Sequence, residues 1–156
     1  MKKKIVGNLP VGYRLHGERF TYEIEAALGQ GGFGITYLAR IVFEGSLGGL
    51  RNLKQYVAIK EFYMHEINGR DESLVLNGTH SATFQNYHGR FMKEAVNLSK
   101  MDHPGIVNIM EIFDANGTSY YVMEYLDGMT VKQLVKRMPD KRIDVKEAVE
   151  IIAKVG

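Results

Sequence analysis

Cysteine is absent from the 156 residues, which excludes disulfide bridges and thiolate metal sites and fits a reducing compartment without requiring one. No apolar run approaches the roughly 18 residues of a membrane-spanning helix. The opening Met1-Lys2-Lys3-Lys4 is basic, but no apolar stretch of signal-peptide length follows it. Residues 1–18 therefore read as a cytosolic leader, and the chain is expected in the cytoplasm. Charge of one sign is lacking too. The 20 basic and 18 acidic residues leave a net charge of +2, and they are mixed along the chain without the basic stripe that a phosphodiester backbone selects, so nucleic acid is not an expected partner. The five histidines, His16, His65, His80, His88 and His103, are not paired at ligand spacing on a common helix face, so no metal site is expected. Internal repeats and low-complexity segments are absent.

What is present is an ordinary globular composition, 45% hydrophobic and 24% charged, at the length of one domain or of one domain cut from something longer. From Arg19 to Leu28, the residues Phe20, Tyr22, Ile24, Ala26 and Leu28 alternate with mostly polar ones, the period of a half-buried strand. Gly29-Gln30-Gly31-Gly32-Phe33-Gly34 follows, and Ile35 to Phe43 is again β-branched and aromatic. The glycines thus join two strands. A dinucleotide-binding glycine motif instead opens a helix whose N-terminus receives the pyrophosphate. A glycine turn between strands lets backbone amides fold over phosphates, or is merely a flexible hairpin. After a turn at 45–52, Gln55 to Phe62 predicts a third strand on which Ala58 and Lys60 share one face and Val57 and Ile59 the other. That lysine is either an anion partner or a solvated edge residue.

Residues 64–82 read as a long loop with room for a brief strand at Leu74-Val75-Leu76. A helix is predicted over 83–101, with Thr83 as its cap, Gly89 as a weak point, and Phe84, Tyr87, Phe91, Leu98 and Met101 as its apolar positions. Glu94 is the single acid in that helix: either it lies on or beside the apolar stripe, where a carboxylate is costly unless a cation meets it, or it is an exposed glutamate rotated off the stripe. Strands follow at 106–113 and 119–125, joined through Asn116-Gly117, a tight-turn dipeptide. Beyond Leu126-Asp127-Gly128, Thr130 caps a short predicted helix, and Asp144 with Glu147 caps a last one over 145–155. The fold class expected is α+β: a five-stranded antiparallel sheet with one packed helix.

Taken together, the order of these features resembles the N-terminal lobe of a eukaryotic-type serine/threonine protein kinase, and the Gln-Gly-Gly-Phe-Gly-Ile-Thr-Tyr-Leu-Ala wording is similar to the bacterial members. Gly29, Gly31 and Gly34 match the family's G-x-G-x-x-G loop with Phe33 at its tip, and Val57-Ala58-Ile59-Lys60 matches its V-A-I-K strand. The resemblance implies residues 19–125 as the N-lobe and 126–156 as the hinge and the start of a truncated C-lobe. It implies that the loop, Gly29, Gln30, Gly31, Gly32, Phe33 and Gly34, covers the phosphates of ATP, with Lys60 on the α and β phosphates and Glu94 holding Lys60. Leu28, Thr36, Ala58 and Met123 would wall the adenine, and the backbone of Glu124 and Leu126 would take its edge. Thr36 departs from the family's usual valine and predicts a slightly more polar roof.

No His-Arg-Asp or Asp-Phe-Gly segment occurs in the 156 residues, so the Mg2+ ligands and the group that orients the acceptor hydroxyl are expected elsewhere, and a protein substrate would engage a C-lobe not represented here. The expectation is a kinase fragment, inactive alone. The alternative is a pseudokinase or a regulatory module that binds nucleotide or partner without phosphotransfer. The stripe Val145, Ala148, Val149, Ile152 and Val155, an apolar helix face without its C-lobe partner, would fold back on the lobe, fray or pair with another copy, and a dimer through residues 144–155 is the simplest closed expectation.

Overall fold

The computed structural model describes residues 5–43, 55–66, 68–76 and 81–125. The surface turn at 45–52, the hinge residue Leu126, both helices expected after it and the pairing stripe at 144–155 lie outside the described residues. Among the described residues there are eight strands and one helix: β1 (Arg14–His16), β2 (Thr21–Gln30), β3 (Gly34–Val42), β4 (Tyr56–Phe62), β5 (Gly69–Asp71), β6 (Leu74–Leu76), α1 (Ser81–Ser99), β7 (Ile109–Ala115) and β8 (Thr118–Glu124). Six of the strands make one sheet in the order β1-β2-β3-β4-β8-β7, and every neighbouring pair in it is antiparallel. The α+β architecture is thus the expected one.

The sheet has two distinct faces because the side-chain period of a strand is two. On β3, Ile35, Tyr37, Ala39 and Ile41 are buried while the residues between them are only partly so. They share a face with Val57, Ile59 and Glu61 of β4, to which β3 pairs in register. The opposite face carries Thr36, Leu38, Ala58 and Lys60. Helix α1 covers one end of that second face through an aromatic cluster: the Phe62 ring lies 5.0 Å from Phe84 and 5.3 Å from Phe91, and Phe91 lies 5.1 Å from Tyr121. Burying a ring such as Phe91 contributes about 1.5–3 kcal/mol, so this cluster fixes where the helix sits. At the β7–β8 hairpin, Asn116 and Gly117 both adopt positive φ (54° and 72°), as a two-residue turn that matches strand twist requires.

Three details differ from expectation. The sheet has a sixth strand: β1 lies within the supposed leader and pairs Leu15 with Tyr22. Three residues are too few to show a period, and only Leu15 of β1 is buried. Leu9 is buried as well, at 1% exposure, so residues 5–16 pack against the lobe. Within the 64–82 segment, Leu74–Leu76 pairs with Gly69–Asp71 as a hairpin, and Val75 is buried and donates its N–H to the Asn116 carbonyl at 2.8 Å. Its partner strand, Gly-Arg-Asp, has no apolar residue to reveal it. Finally, α1 begins at Ser81, which puts Thr83 inside the first turn and not at the cap; Leu98 is only half-buried, Met101 is exposed, and Ala95 completes the buried stripe instead.

Gly89 sits in the middle of α1, and a Cβ added there would meet nothing within 4 Å. Gly89→Ala is therefore expected to stabilise the chain by about 0.5–1 kcal/mol, read as a raised urea midpoint at unchanged slope; a lowered midpoint would contradict it.

Candidate functional site

Strand register assembles the site. Gly29 opposes Thr36, Thr36 opposes Lys60, and Lys60 opposes Tyr121, one transverse row across β2, β3, β4 and β8. Directly opposed residues project to the same face. Two residues along, Leu38, Ala58 and Met123 form a second row on that face. A cation and a hydroxyl thus lie beside a small apolar surface, with Ala58 buried and Met123 partly so.

Lys60 Nζ lies 3.5 Å from Glu94 Oε1, and the Tyr121 hydroxyl donates to that same oxygen at 3.0 Å. The ammonium is also 5.8 Å from the centroid of the Tyr121 ring. Burial, reinforced by the neighbouring Glu94 carboxylate, pushes the Tyr121 phenol well above its usual range, so it remains a donor. The Lys60 and Glu94 side chains are 30% and 53% exposed. At that exposure the ion pair contributes only about 0–1 kcal/mol, and Glu94 does not need a cation for its solvation. The burial argument for Glu94 therefore falls away; the docking of α1 through Phe84 and Phe91 is what brings its carboxylate to Lys60.

The glycine turn lies at one end of this face. Gly31 N–H donates to the Gly34 carbonyl at 2.9 Å, and Tyr63 N–H to the Phe33 carbonyl at 3.1 Å. A Cβ at Gly34 would stand 2.8 Å from the Glu61 carbonyl oxygen and 3.4 Å from Lys60 Cε, so glycine is required there by the close approach of β4. At Gly29, Gly31 and Gly32 a Cβ would meet nothing within 4 Å, so packing does not demand glycine at those three. The Phe33 ring stacks on Tyr87 of α1 at 4.8 Å. Beneath it a cavity of about 230 Å³ is lined by Phe33, Lys60, Tyr87, Arg90, Phe91 and Glu94. Two cations and one carboxylate in so small a space favour an anion.

The structure thus brings Phe33, Lys60 and Glu94 around one cavity, with Thr36, Ala58 and Met123 on the adjoining surface. Leu28 and Gln30 are elsewhere: with Gly29, Gly31 and Gly32 they line a separate, larger cleft of about 890 Å³, shared with Ile5, Val6, His65 and Glu66. Glu124 is tied to the chain leading into β7, its N–H donating to the Asn108 carbonyl and its Oε1 accepting from Asn108 N–H, both at 3.1 Å. Leu126 is not among the described residues. No group of three or more histidine and acidic side chains converges to hold a metal among the described residues, and none of their helices is long and apolar enough to cross a membrane.

Sequence reasoning missed Tyr121 and Arg90. Tyr121 shares the parity of Met123 along β8, which puts both on one face, but its opposition to Lys60 depends on β8 pairing with β4. Arg90, whose guanidinium lies 5.4 Å from the Tyr87 ring centroid, precedes Glu94 by about one turn of helix. Glu61 was missed altogether. It is fully buried on the opposite face, paired with the Arg70 guanidinium, and accepts from the hydroxyls of Tyr37 at 2.8 Å and of Tyr120.

Comparison with known proteins identifies the family. The family model described as protein tyrosine and serine/threonine kinase matches residues 22–156. The serine/threonine-protein kinase PrkC of Bacillus subtilis is 28% identical over 145 residues, 93% of this chain and 18% of that protein. A probable serine/threonine-protein kinase, PknB of Lactococcus lactis, is 31% identical over 119 residues, 74% of this chain and 17% of that protein. Among solved structures, one titled PpkA-294 apo form superposes with a TM-score of 0.71 at 30% identity, covering 86% of this chain and 44% of that one. The chain therefore spans less than a fifth of these curated relatives.

Proposed function

Because the chain belongs to the protein tyrosine and serine/threonine kinase family, with its described residues forming the N-terminal lobe, we propose that it is the ATP-binding lobe of a serine/threonine kinase. The observation that carries this reading is the transverse row under the glycine turn, where Lys60 is held by Glu94 and Tyr121 beside the Ala58–Met123 surface. The residues suit a nucleotide: open space stands over Gly29, Gly31 and Gly32, the nearest cavity is lined by Lys60 and Arg90, and Ala58 keeps the neighbouring surface low. When bound, ATP supplies the γ-phosphoryl group that would pass to a protein hydroxyl. The loop amides and Lys60 would hold the phosphates. Glu94, itself held by the Tyr121 hydroxyl, would fix Lys60 from behind, so that little reorganisation is needed on binding. Thr36 would add a hydroxyl to the roof over the base, and the carbonyl of Glu124 with the Leu126 backbone would take its polar edge.

Mg2+ ligands and the group that orients the acceptor hydroxyl are assigned to residues other than these, so phosphotransfer is proposed for the whole protein and nucleotide binding alone for the chain. Calorimetric titration of the 156-residue chain with Mg-ATP is expected to show weak, saturable binding near the high micromolar range, on the order of −5 kcal/mol. No saturation at millimolar nucleotide would sink the reading, and a nanomolar, magnesium-dependent complex would show that the chain supplies more of the site than proposed.

A further inference from the structure

Residues 5–9, ahead of the first strand, are tied to the lobe at three points. Val6 N–H donates to Gln30 Oε1 at 3.0 Å and Gln30 Nε2 donates back to the Val6 carbonyl at 2.9 Å. Arg70 Nε donates to the Gly7 carbonyl at 2.5 Å. Leu9 N–H donates to the Tyr37 hydroxyl at 2.9 Å, with the Leu9 side chain fully buried. Gly7 has φ +77°, and a Cβ there would run into the Tyr63 ring, so the segment is seated closely. The first anchor is on the glycine turn. The other two converge on Glu61, which accepts from Tyr37 and pairs with Arg70, and Glu61 is the residue next to Lys60.

We infer that residues 5–9 are a strap that restrains the phosphate-covering loop at a set position relative to Lys60, with Gln30 as the positioning residue that couples the two. This rests on the nucleotide-binding reading above. The side chain of Gln30 uses both its donor and its acceptor on the strap backbone, so a loop that lifts must break two hydrogen bonds at once. Each is exposed to water and individually modest, which allows the loop to move while biasing it toward one place. The strap itself is held by a buried network and by Leu9, so it is the stiffer partner of the two.

Two variants of the chain separate this from a general structural role. Val6→Pro removes the strap's N–H without touching the glycine turn, and Gln30→Met keeps the side-chain length while removing both hydrogen bonds. Amide hydrogen exchange over residues 29–33 of the unliganded chain is expected to quicken about tenfold in both, corresponding to the loss of hydrogen bonds of ordinary net strength. Mg-ATP affinity is expected to fall about fivefold while adenosine affinity changes less than twofold, since the strap acts only on the loop that covers phosphates. Unchanged exchange in both variants overturns the proposal, as does an equal loss of ATP and adenosine binding. If the parent chain binds neither nucleotide nor nucleoside, the nucleotide reading fails instead, and the exchange rates alone uphold or overturn the restraint.

Discussion

Lys60→Met in the full-length protein is expected to lower phosphotransfer by at least two to three orders of magnitude, the usual consequence of removing one preorganised charge from a transferring group. The same substitution is expected to leave stability within about 1 kcal/mol of the parent. Lys60 is 30% exposed and its pairing with Glu94 spans 3.5 Å with half of the carboxylate in water, so the ion pair holds geometry more than it holds the fold. Glu94→Gln should fall between the two enzymes, because the amide oxygen can still accept from the Tyr121 hydroxyl while the charge opposite Lys60 is lost. Steady-state kinetics beside thermal melts decide the matter. Undiminished turnover in Lys60→Met removes the assignment, and a variant that loses turnover only because it unfolds would show it in the melt.

Glu61→Leu should do the opposite, with its main effect on stability. Glu61 is 0% exposed and the Arg70 side chain 6%; burial works against the guanidinium charge, yet the Glu61 carboxylate more than offsets it and raises the Arg70 pKa. Burial and the same carboxylate push the Tyr37 and Tyr120 phenols far above their usual range, which keeps both as donors. Removing the carboxylate strands a buried cation and two hydroxyls, at a cost of about 3–5 kcal/mol. Against a total stability of about 5–15 kcal/mol for a domain, that is expected to lower Tm by about 10 °C or more. The double variant Glu61→Leu with Arg70→Met should recover much of the loss, since an apolar pair avoids the desolvation of two charges. Urea denaturation of the four species of this cycle tests it: a Glu61→Leu variant as stable as the parent would mean that water reaches Arg70.

Adjacent on β4, Lys60 and Glu61 show where local reading works and where it stops. The alternation of Val57, Ala58, Ile59 and Lys60 places the lysine opposite the packed face. Nothing in the neighbouring residues says that the next position is the buried centre of a network, because its partners are Tyr37, Arg70 and Tyr120, drawn from three other elements. Glu94 left two readings open in the sequence, a burdened carboxylate or an exposed one, and the structure selects the second: it is more than half exposed and positioned by aromatic packing. Residues 5–16 escaped notice because a single buried leucine on either side of a turn has no periodicity to detect.

By itself the sequence determined the α+β class, the long antiparallel strands, the hairpin turn at Asn116-Gly117, the helix that carries Glu94, and the motif pairing of a glycine turn with Lys60. The motif pairing rests on resemblance to the kinase family; the others rest on local chemistry, since side-chain period and turn propensity act between residues a few positions apart. Strand order and register belong to the tertiary structure. Only the pairing of β8 against β4 sets Tyr121 opposite Lys60, only the docking of α1 on Phe62 and Tyr121 carries Glu94 to 3.5 Å from the ammonium, and only the folding back of residues 5–9 ties the glycine turn to the Glu61 network. Those contacts join residues from 22 to 63 positions apart in the chain, where they are selected by the burial of one face against another and leave no periodic trace in the order of amino acids.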